Sequence, residues 1–253
     1  MRARLIFLLL LLAGAPVWAG AEPRPFLAIV TEHTPPSSMM VNGQLTGFAT
    51  EKVRVVMERA GIDFRVEMLP WTRALALATS QADTCIYSTT RTPERDKLFK
   101  WVGPTHDNDW TMFARLDRDI RLARLEDARK LRIGAYNGDV RGETLQNQGF
   151  IVDSVRDNFS NPRKLMAGRI DLWVTSLRTG KSIARELGWP KDIVPVLTFK
   201  RTGLYLACHP SVPDALVTKM NAALQAMNRE GVSKEIEHRF DFWGIEPNPA
   251  SVP

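Results

Sequence analysis

Beyond the first two dozen residues, short apolar runs alternate with stretches whose apolar positions recur every three or four residues. The first pattern suits buried strands and the second suits amphipathic helices. Phe26 to Val30 reads as a strand. Phe48, Val53, Val56, Met57 and Ala60 share one helical face, and Gly61 stops that helix. Phe64, Val66 and Met68 alternate as a strand, Trp71, Ala74, Leu75 and Ala78 mark a second helix, and Thr84 to Tyr87 is the next strand. The pattern then restarts. Leu131 to Tyr136 is a strand entering the turn Asn137-Gly138-Asp139, followed by a helix from about Gly142 to Gln148 and the strand Phe150 to Val155. Asn161-Pro162 opens a helix running to Gly168, Ile170 to Val174 is a strand, and residues 179–187 form a helix closed by Gly188. Leu216, Met220, Ala223, Leu224 and Met227 make the stripe of a longer helix, and a final short helix precedes Phe240 and Trp243.

Strands alternating with helices predict an α/β protein with largely parallel sheets. An internal echo supports two similar lobes: Leu77 to Asp83 and Leu165 to Asp171 both place an Asp six residues after a leucine at a helix-to-strand joint. Asp83 and Asp171 read as structural, holding those joints. The extended runs Trp110 to Arg115 and Gly203 to Cys208 are the expected crossings between lobes, with Asp107, Asp109 and Trp110 shaping the first. A cleft between lobes, at the carboxyl ends of strands, is where a small ligand belongs.

The N-terminus carries a secretory signal: Arg2 and Arg4, the apolar run Leu5 to Leu12, and Val17-Trp18-Ala19 as a cleavage site. A cut after Ala21 is the alternative. Removing nineteen of 253 residues leaves 234, enough for one large domain or two small lobes. Hydrophobic residues make up 44% and charged residues 25%, a globular composition. Loss of Arg2 and Arg4 lowers the formal charge from +6 to +4, and the densest basic stretch, Arg115 to Arg132, is interleaved with acids. That excludes a nucleic-acid patch. Cys85 and Cys208 form a pair that an oxidising compartment invites to bridge, but both lie in apolar runs and read rather as unpaired, buried thiols. His33, His106, His209 and His238 show no metal-ligand spacing, so neither metal nor cofactor is expected.

The most informative stretch is Ala82 to Trp101. A strand passes through the hydroxyls Ser88, Thr89, Thr90 and Thr92 and reaches Arg95. A planar guanidinium among hydroxyls and backbone N–H groups suits a carboxylate, which it holds with two parallel charge-assisted bonds. The same residues also read as a plain capped turn, with Thr92 at the N-cap, Pro93 at N1 and Arg95 in solvent.

Taken together, the chain resembles the extracellular solute-binding proteins of family 3, the periplasmic receptors that deliver amino acids and related molecules to ABC importers. The resemblance spans about Phe26 to Gly244. It rests on Glu32-His-Thr-Pro-Pro-Ser, Gly43 to Phe48, Leu69-Pro-Trp-Thr-Arg, Ala82-Asp83, Thr92 to Arg95, Gly168 to Asp171 and the Gly231 to Trp243 tail, in that order. It implies a two-lobed fold of the periplasmic-binding-protein type (type II), with residues 1–19 as signal peptide, 20–112 and 206–253 as one lobe, and 113–205 as the other. It implies that Arg95 clamps a ligand carboxylate, helped by Ser88 and Thr90, and that Trp71 walls the ligand side chain. Thr34 stands where an aromatic often sits. Asp139, Val140 and Arg141 occupy the turn whose N–H groups meet the carboxylate, a helix N-terminus with positive potential. Ser176 replaces the acid that commonly holds the ligand ammonium, so Glu32 or Asp139 supplies the anion or the ligand lacks an ammonium. The acid often found after the Gly47-Phe48 pair is also absent, with Ala49 in its place. Tyr87, at the cleft end of its strand, is a further candidate. Trp71 reads equally as a core aromatic, Asp139 as an N-cap, and Arg141 as a solvated first-turn residue.

The expected function is capture of a small polar, carboxylate-bearing ligand, by a monomer in the periplasm, for an ABC permease in the inner membrane. Two alternatives stand beside it. One is a dehydratase acting on a cyclic carboxylate with Glu32 as the acid; the other is a sensor presenting its ligand to a membrane kinase.

Overall fold

In the computed structural model, which describes residues 24–241, β1 (Phe26–Thr31) leads into a small hairpin, β2 (Met39–Val41) and β3 (Gln44–Thr46). Helix α1 (Phe48–Ala60) follows and ends on Gly61 in the left-handed region, φ 68°, which only glycine adopts without a Cβ penalty. β4 (Asp63–Met68), α2 (Trp71–Ser80), β5 (Thr84–Thr90) and the one-turn helix α3 (Pro93–Asp96) complete the first run. The long strand β6 (Lys100–Arg115) leads to β7 (Arg132–Tyr136), α4 (Val140–Asn147), β8 (Ile151–Val155), α5 (Ser160–Met166), β9 (Leu172–Ser176) and α6 (Leu177–Glu186). A second long strand, β10 (Ile193–Cys208), returns the chain to helices α7 (Asp214–Arg229) and α8 (Val232–Arg239). The expected signal sequence, residues 1–19, and Trp243 lie outside the described residues. Among the described residues no helix is long and apolar enough to cross a membrane.

The strands join in the order β4-β1-β5-β10-β6-β9-β7-β8. Each outer triplet is parallel and puts its first strand in the middle: β1 between β4 and β5, β7 between β8 and β9. The echo in the sequence is thus a repeated β-α-β-α-β unit. Within each half the sheet is parallel, as expected, and the two joining strands β6 and β10 run antiparallel to each other and to their outer neighbours. The reason is topological, because the chain leaves the first half along β6 and comes back along β10. The expected crossings are only the ends of these strands, which are 16 residues each.

Alternate residues of one strand enter opposite cores, which is why these strands read as unbroken apolar runs. Leu27 and Ile29 face α1, α7 and α8, while Val30 joins the core under α2. In the second half Leu172 and Val174 pack with Ile133 and Leu145, whereas Trp173 lies with Phe113 and Ile183. Gly180 lets α6 approach β6 closely: a Cβ there would stand 2.3 Å from two atoms of the Phe113 ring and 2.9 Å from Thr175 Cγ2. Gly180→Ala is therefore expected to destabilise the protein by about 1–3 kcal/mol through overpacking. That outweighs the roughly 1 kcal/mol that alanine gains in a helix. Urea unfolding checks this, and a variant as stable as the parent would show that α6 shifts freely.

The expectation of free thiols is overturned: Cys85 and Cys208 form a disulfide. They lie directly opposite each other in the antiparallel pair β5–β10, with Cα atoms 3.9 Å apart. Both sit in apolar runs, as read from the sequence, but those runs are neighbouring strands in register. The structural reading of Asp171 holds, since its side chain accepts the Arg132 N–H at 2.9 Å and fastens the start of β7.

Candidate functional site

The carboxyl ends of β1, β5, β7 and β9 converge on a cleft of about 300 Å³ between the two halves. Its first-half wall carries Glu32 and Thr34 from the loop after β1, Trp71 opening α2, Ser88 and Thr90 ending β5, and Arg95 on α3. Its second-half wall carries Tyr136 ending β7, Asp139, Val140 and Arg141 opening α4, and Ser176 to Thr179 opening α6. Every site residue expected from the sequence lines this cleft except Tyr87.

Tyr87 is corrected to a core residue. Its hydroxyl meets Thr50 Oγ1 at 2.7 Å and Ser38 Oγ at 3.1 Å, inside the core packed against α1. Strand alternation sends Tyr87 to that side and Ser88 to the other. Ser88 itself has φ 58°, uncommon for a residue with a Cβ, and contacts Ser37 Oγ at 3.1 Å on the cleft wall.

The capped turn and the ligand clamp, which competed as readings of one stretch, are the same object. Thr92 Oγ1 accepts the Arg95 N–H at 3.3 Å and Pro93 begins the turn. That cap turns the Arg95 side chain inward, leaving it 8% exposed. Its Nη2 donates to the Gly138 carbonyl at 3.2 Å, and its guanidinium lies 5.6 Å above the Trp71 ring centroid. The carboxylate beside it, Glu143, stands off at 3.9 Å and is largely exposed. Trp71 donates Nε1–H to the same Gly138 carbonyl at 2.7 Å. One carbonyl of the second half thus accepts from two donors of the first.

Asp139 is the N-cap of α4 and accepts the Arg141 backbone N–H at 3.1 Å. It also accepts Arg141 Nε–H at 3.0 Å on each oxygen. Arg141 is therefore no solvated residue; it is 9% exposed and folded back onto its own cap. Burial works against its charge, but Asp139, Tyr136 and Glu32 outweigh burial, so its pKa is raised. Ser176 caps α6, accepting the Thr179 N–H at 3.2 Å.

Glu32 links the halves by accepting the Tyr136 hydroxyl at 2.9 Å. Burial pushes its carboxyl up to about 7, with Asp139 adding to the rise and the Tyr136 bond and Arg141 opposing it. Two further residues reach across the cleft. His33 stacks on Phe159, with ring centroids 5.1 Å apart. Arg178, on α6, lies 5.1 Å from the Phe48 ring centroid and pairs with Glu237 at 3.4 Å and Asp241 at 3.2 Å.

Sequence reading missed part of the wall. His106, Asn108 and Leu204 come from β6 and β10, where no turn or cap marks them. His106 is held neutral, its pKa lowered to about 3 by burial and by the charges of Lys52 and Arg178. Asp107 and Asp109, read as hinge residues, also line the cleft, and Asp109 pairs with Arg201 at 3.2 Å. Phe48, read as a core position, and Arg178 gave no signal because their partners are distant in sequence: His106 and Arg178 for Phe48, Glu237 and Asp241 for Arg178. No cluster of metal-ligating side chains occurs among the described residues.

A family model for bacterial extracellular solute-binding proteins, family 3, matches residues 27–242. Over 127 residues the chain is 25% identical to the amino-acid-binding protein AabA of Dichelobacter nodosus, a match covering 49% of each chain. The chain thus spans about half the length of that curated relative. Among solved structures, a histidine kinase sensor domain with similarity to periplasmic binding proteins superposes with a TM-score of 0.80 at 19% identity, over 86% of this chain and 96% of that one. The amino acid ABC transporter substrate-binding protein AbpA of Streptococcus pneumoniae, solved with L-arginine, gives 0.77 at 16% identity, over 88% and 97%. At these identities the likeness is one of fold, the two-lobed fold of periplasmic binding proteins.

Proposed function

The chain belongs to the bacterial extracellular solute-binding proteins, family 3, and from that premise we propose that it is a periplasmic receptor for a small carboxylate-bearing solute, which it passes to an ABC importer. Residues 20–112 and 206–253 form one lobe and 113–205 the other, hinged along β6 and β10. The protein works as a monomer and by binding rather than catalysis. The observation that carries this reading is the pair of donors, Arg95 Nη2 and Trp71 Nε1, aimed at one acceptor from the opposite half. A ligand carboxylate placed in the cleft takes over those donors, with Ser88, Thr90 and the amides opening α4 beside it. Closure follows when the ligand gains more from both walls than from one.

A thermal-shift screen of amino acids, polyamines and organic acids tests the reading. A ligand at a hundred times its Kd stabilises the folded form by about 2.7 kcal/mol. For a protein of this size that raises Tm by roughly 5–10 °C. We expect a hit carrying a carboxylate; shifts given only by compounds without one would refute the proposal.

The half-buried carboxyl of Glu32, raised to about 7, favours one second reading, a dehydratase in which Glu32 protonates a leaving hydroxyl. Incubation with a cyclic hydroxy-carboxylate and ultraviolet detection of aromatic product decides it, and absence of turnover removes it.

A further inference from the structure

One carboxyl group of the cleft draws its hydrogen-bond donor and its charged neighbours from the opposite half. Glu32 belongs to the first half, on the loop after β1. Everything charged or titratable that it meets across the cleft belongs to the second. Tyr136, at the end of β7, donates its hydroxyl to Glu32 at 2.9 Å. Asp139 and Arg141, opening α4, supply one like charge and one opposite charge. That guanidinium is already committed, since both oxygens of Asp139 accept its Nε–H at 3.0 Å. The one cation that acts on Glu32 is therefore already engaged by a second carboxylate. On its own side Glu32 is flanked by His33 and by Thr34, whose Oγ1 is buried without a partner. The other first-half donors of the wall, Trp71 and Arg95, point at the Gly138 carbonyl instead.

We propose that shutting the cleft takes up a proton at Glu32, so that the closed form is favoured in mild acid and opens as the pH rises through neutrality. With the halves apart, the carboxyl stands in water at its ordinary value. With the halves together, burial and Asp139 disfavour its charge, and the Tyr136 bond and Arg141 offset this only in part. The sign follows directly. The closed form binds more protons than the open form between the ordinary value of 4.5 and about 7, so closure weakens as pH climbs through that window and is constant above it. Glu32 keeps some surface on the cleft. We therefore set the expected fall in the closed-to-open ratio at about tenfold between pH 5 and pH 8, less than full burial would give.

One group works in the opposite direction. His33, stacked on Phe159 of the second half, has its pKa lowered by burial, with Glu186 partly opposing. Its protonation in acid disfavours closure. His33→Phe keeps an aromatic ring at the stack and removes this contribution. Ligand chemistry bears on the sign as well: an ammonium delivered to Glu32 would hold it ionised and flatten or reverse the trend. The intrinsic response is therefore read without ligand.

The experiment is small-angle X-ray scattering of the purified, ligand-free protein from pH 5 to pH 8.5, in the parent and in the His33→Phe background. We expect the radius of gyration to grow as pH rises, and Glu32→Gln to abolish the growth. Tyr136→Phe, which removes the one donor that favours the ionised carboxyl, is expected to move the transition to higher pH. A radius that does not change with pH, a response that survives Glu32→Gln, or an unmoved midpoint in Tyr136→Phe would each overturn the proposal. It rests on two lobes that open and close and not on the cargo. A ligand screen without carboxylate hits would refute the transport reading and leave this one standing.

Discussion

Replacing Arg95 by alanine is expected to weaken binding of a carboxylate-bearing ligand by at least about a hundredfold. The residue is 8% exposed, and its ion-pair partner Glu143 is largely in solvent and 3.9 Å away. Its charge is therefore largely uncompensated within the protein and available to a ligand anion. Truncating one member of a desolvated charge pair costs about 2–5 kcal/mol, much of it from leaving the other member unpaired. The second part of the loss is geometric. The ring of Trp71 beneath the guanidinium restrains it, and its planar fork offers a carboxylate two parallel bonds. Arg95→Lys retains the charge but offers one point donor, and is expected to recover only part of the affinity. Isothermal titration against the strongest hit of the screen, with the ligand-free Tm as a folding control, measures both variants. Retention of parental affinity by a folded Arg95→Ala protein would remove this residue from the site.

Much of this site was legible because its parts sit at element ends, where local chemistry leaves marks. Thr92-Pro93 announces a helix start, Asn137-Gly138-Asp139 announces a turn before another, and both lie at the cleft. The illegible parts depend on pairing across long stretches of chain. Glu32 and Tyr136 are 104 residues apart, and nothing in either segment shows that one hydroxyl serves the other carboxyl. The helix start after β9 was read two residues late, yet Ser176 is its cap. Read only as a substitution at a binding position, that serine concealed its structural duty. Tyr87 failed for another reason. Alternation fixes which residues share a face but not which face meets the cleft, and the choice fell on the wrong member of the Tyr87–Ser88 pair.

The fold shows the same division. Most helix and strand identities followed from periodicity, since the cores on both sides of the main sheet demand it, though the β2–β3 hairpin and the first parts of β6 and β10 carried no such mark. The register between β5 and β10 did not, because it is set by a chain that leaves, builds a second half and returns. The disulfide is the direct product of that register.

Breaking the bridge with paired Cys85→Ala and Cys208→Ala substitutions is expected to lower stability by about 3–5 kcal/mol, or on the order of 10 °C in Tm. The two cysteines are 123 residues apart in sequence, and closing so long a loop in the unfolded chain is where the chain-entropy account places most of the effect. The location adds to it. Both side chains are fully buried in the core shared by α1, α7 and α8, and alanine leaves the volume of two sulfurs unfilled. β10 is also the strand that returns the chain from the second half, and it pairs with β5 only through Leu204 to Cys208. Without the bridge the returning strand, still paired along its length with β6, is joined to β5 by that short ladder's hydrogen bonds and packing alone. Urea unfolding of the parent with and without reductant, beside the double variant, separates the covalent contribution from the packing one. The reduced parent and the variant should agree within about 1 kcal/mol, a margin set by the size of the cavity term. A double variant within that margin of the oxidised parent would mean that the unfolded chain is already compact enough to hold these strands near each other.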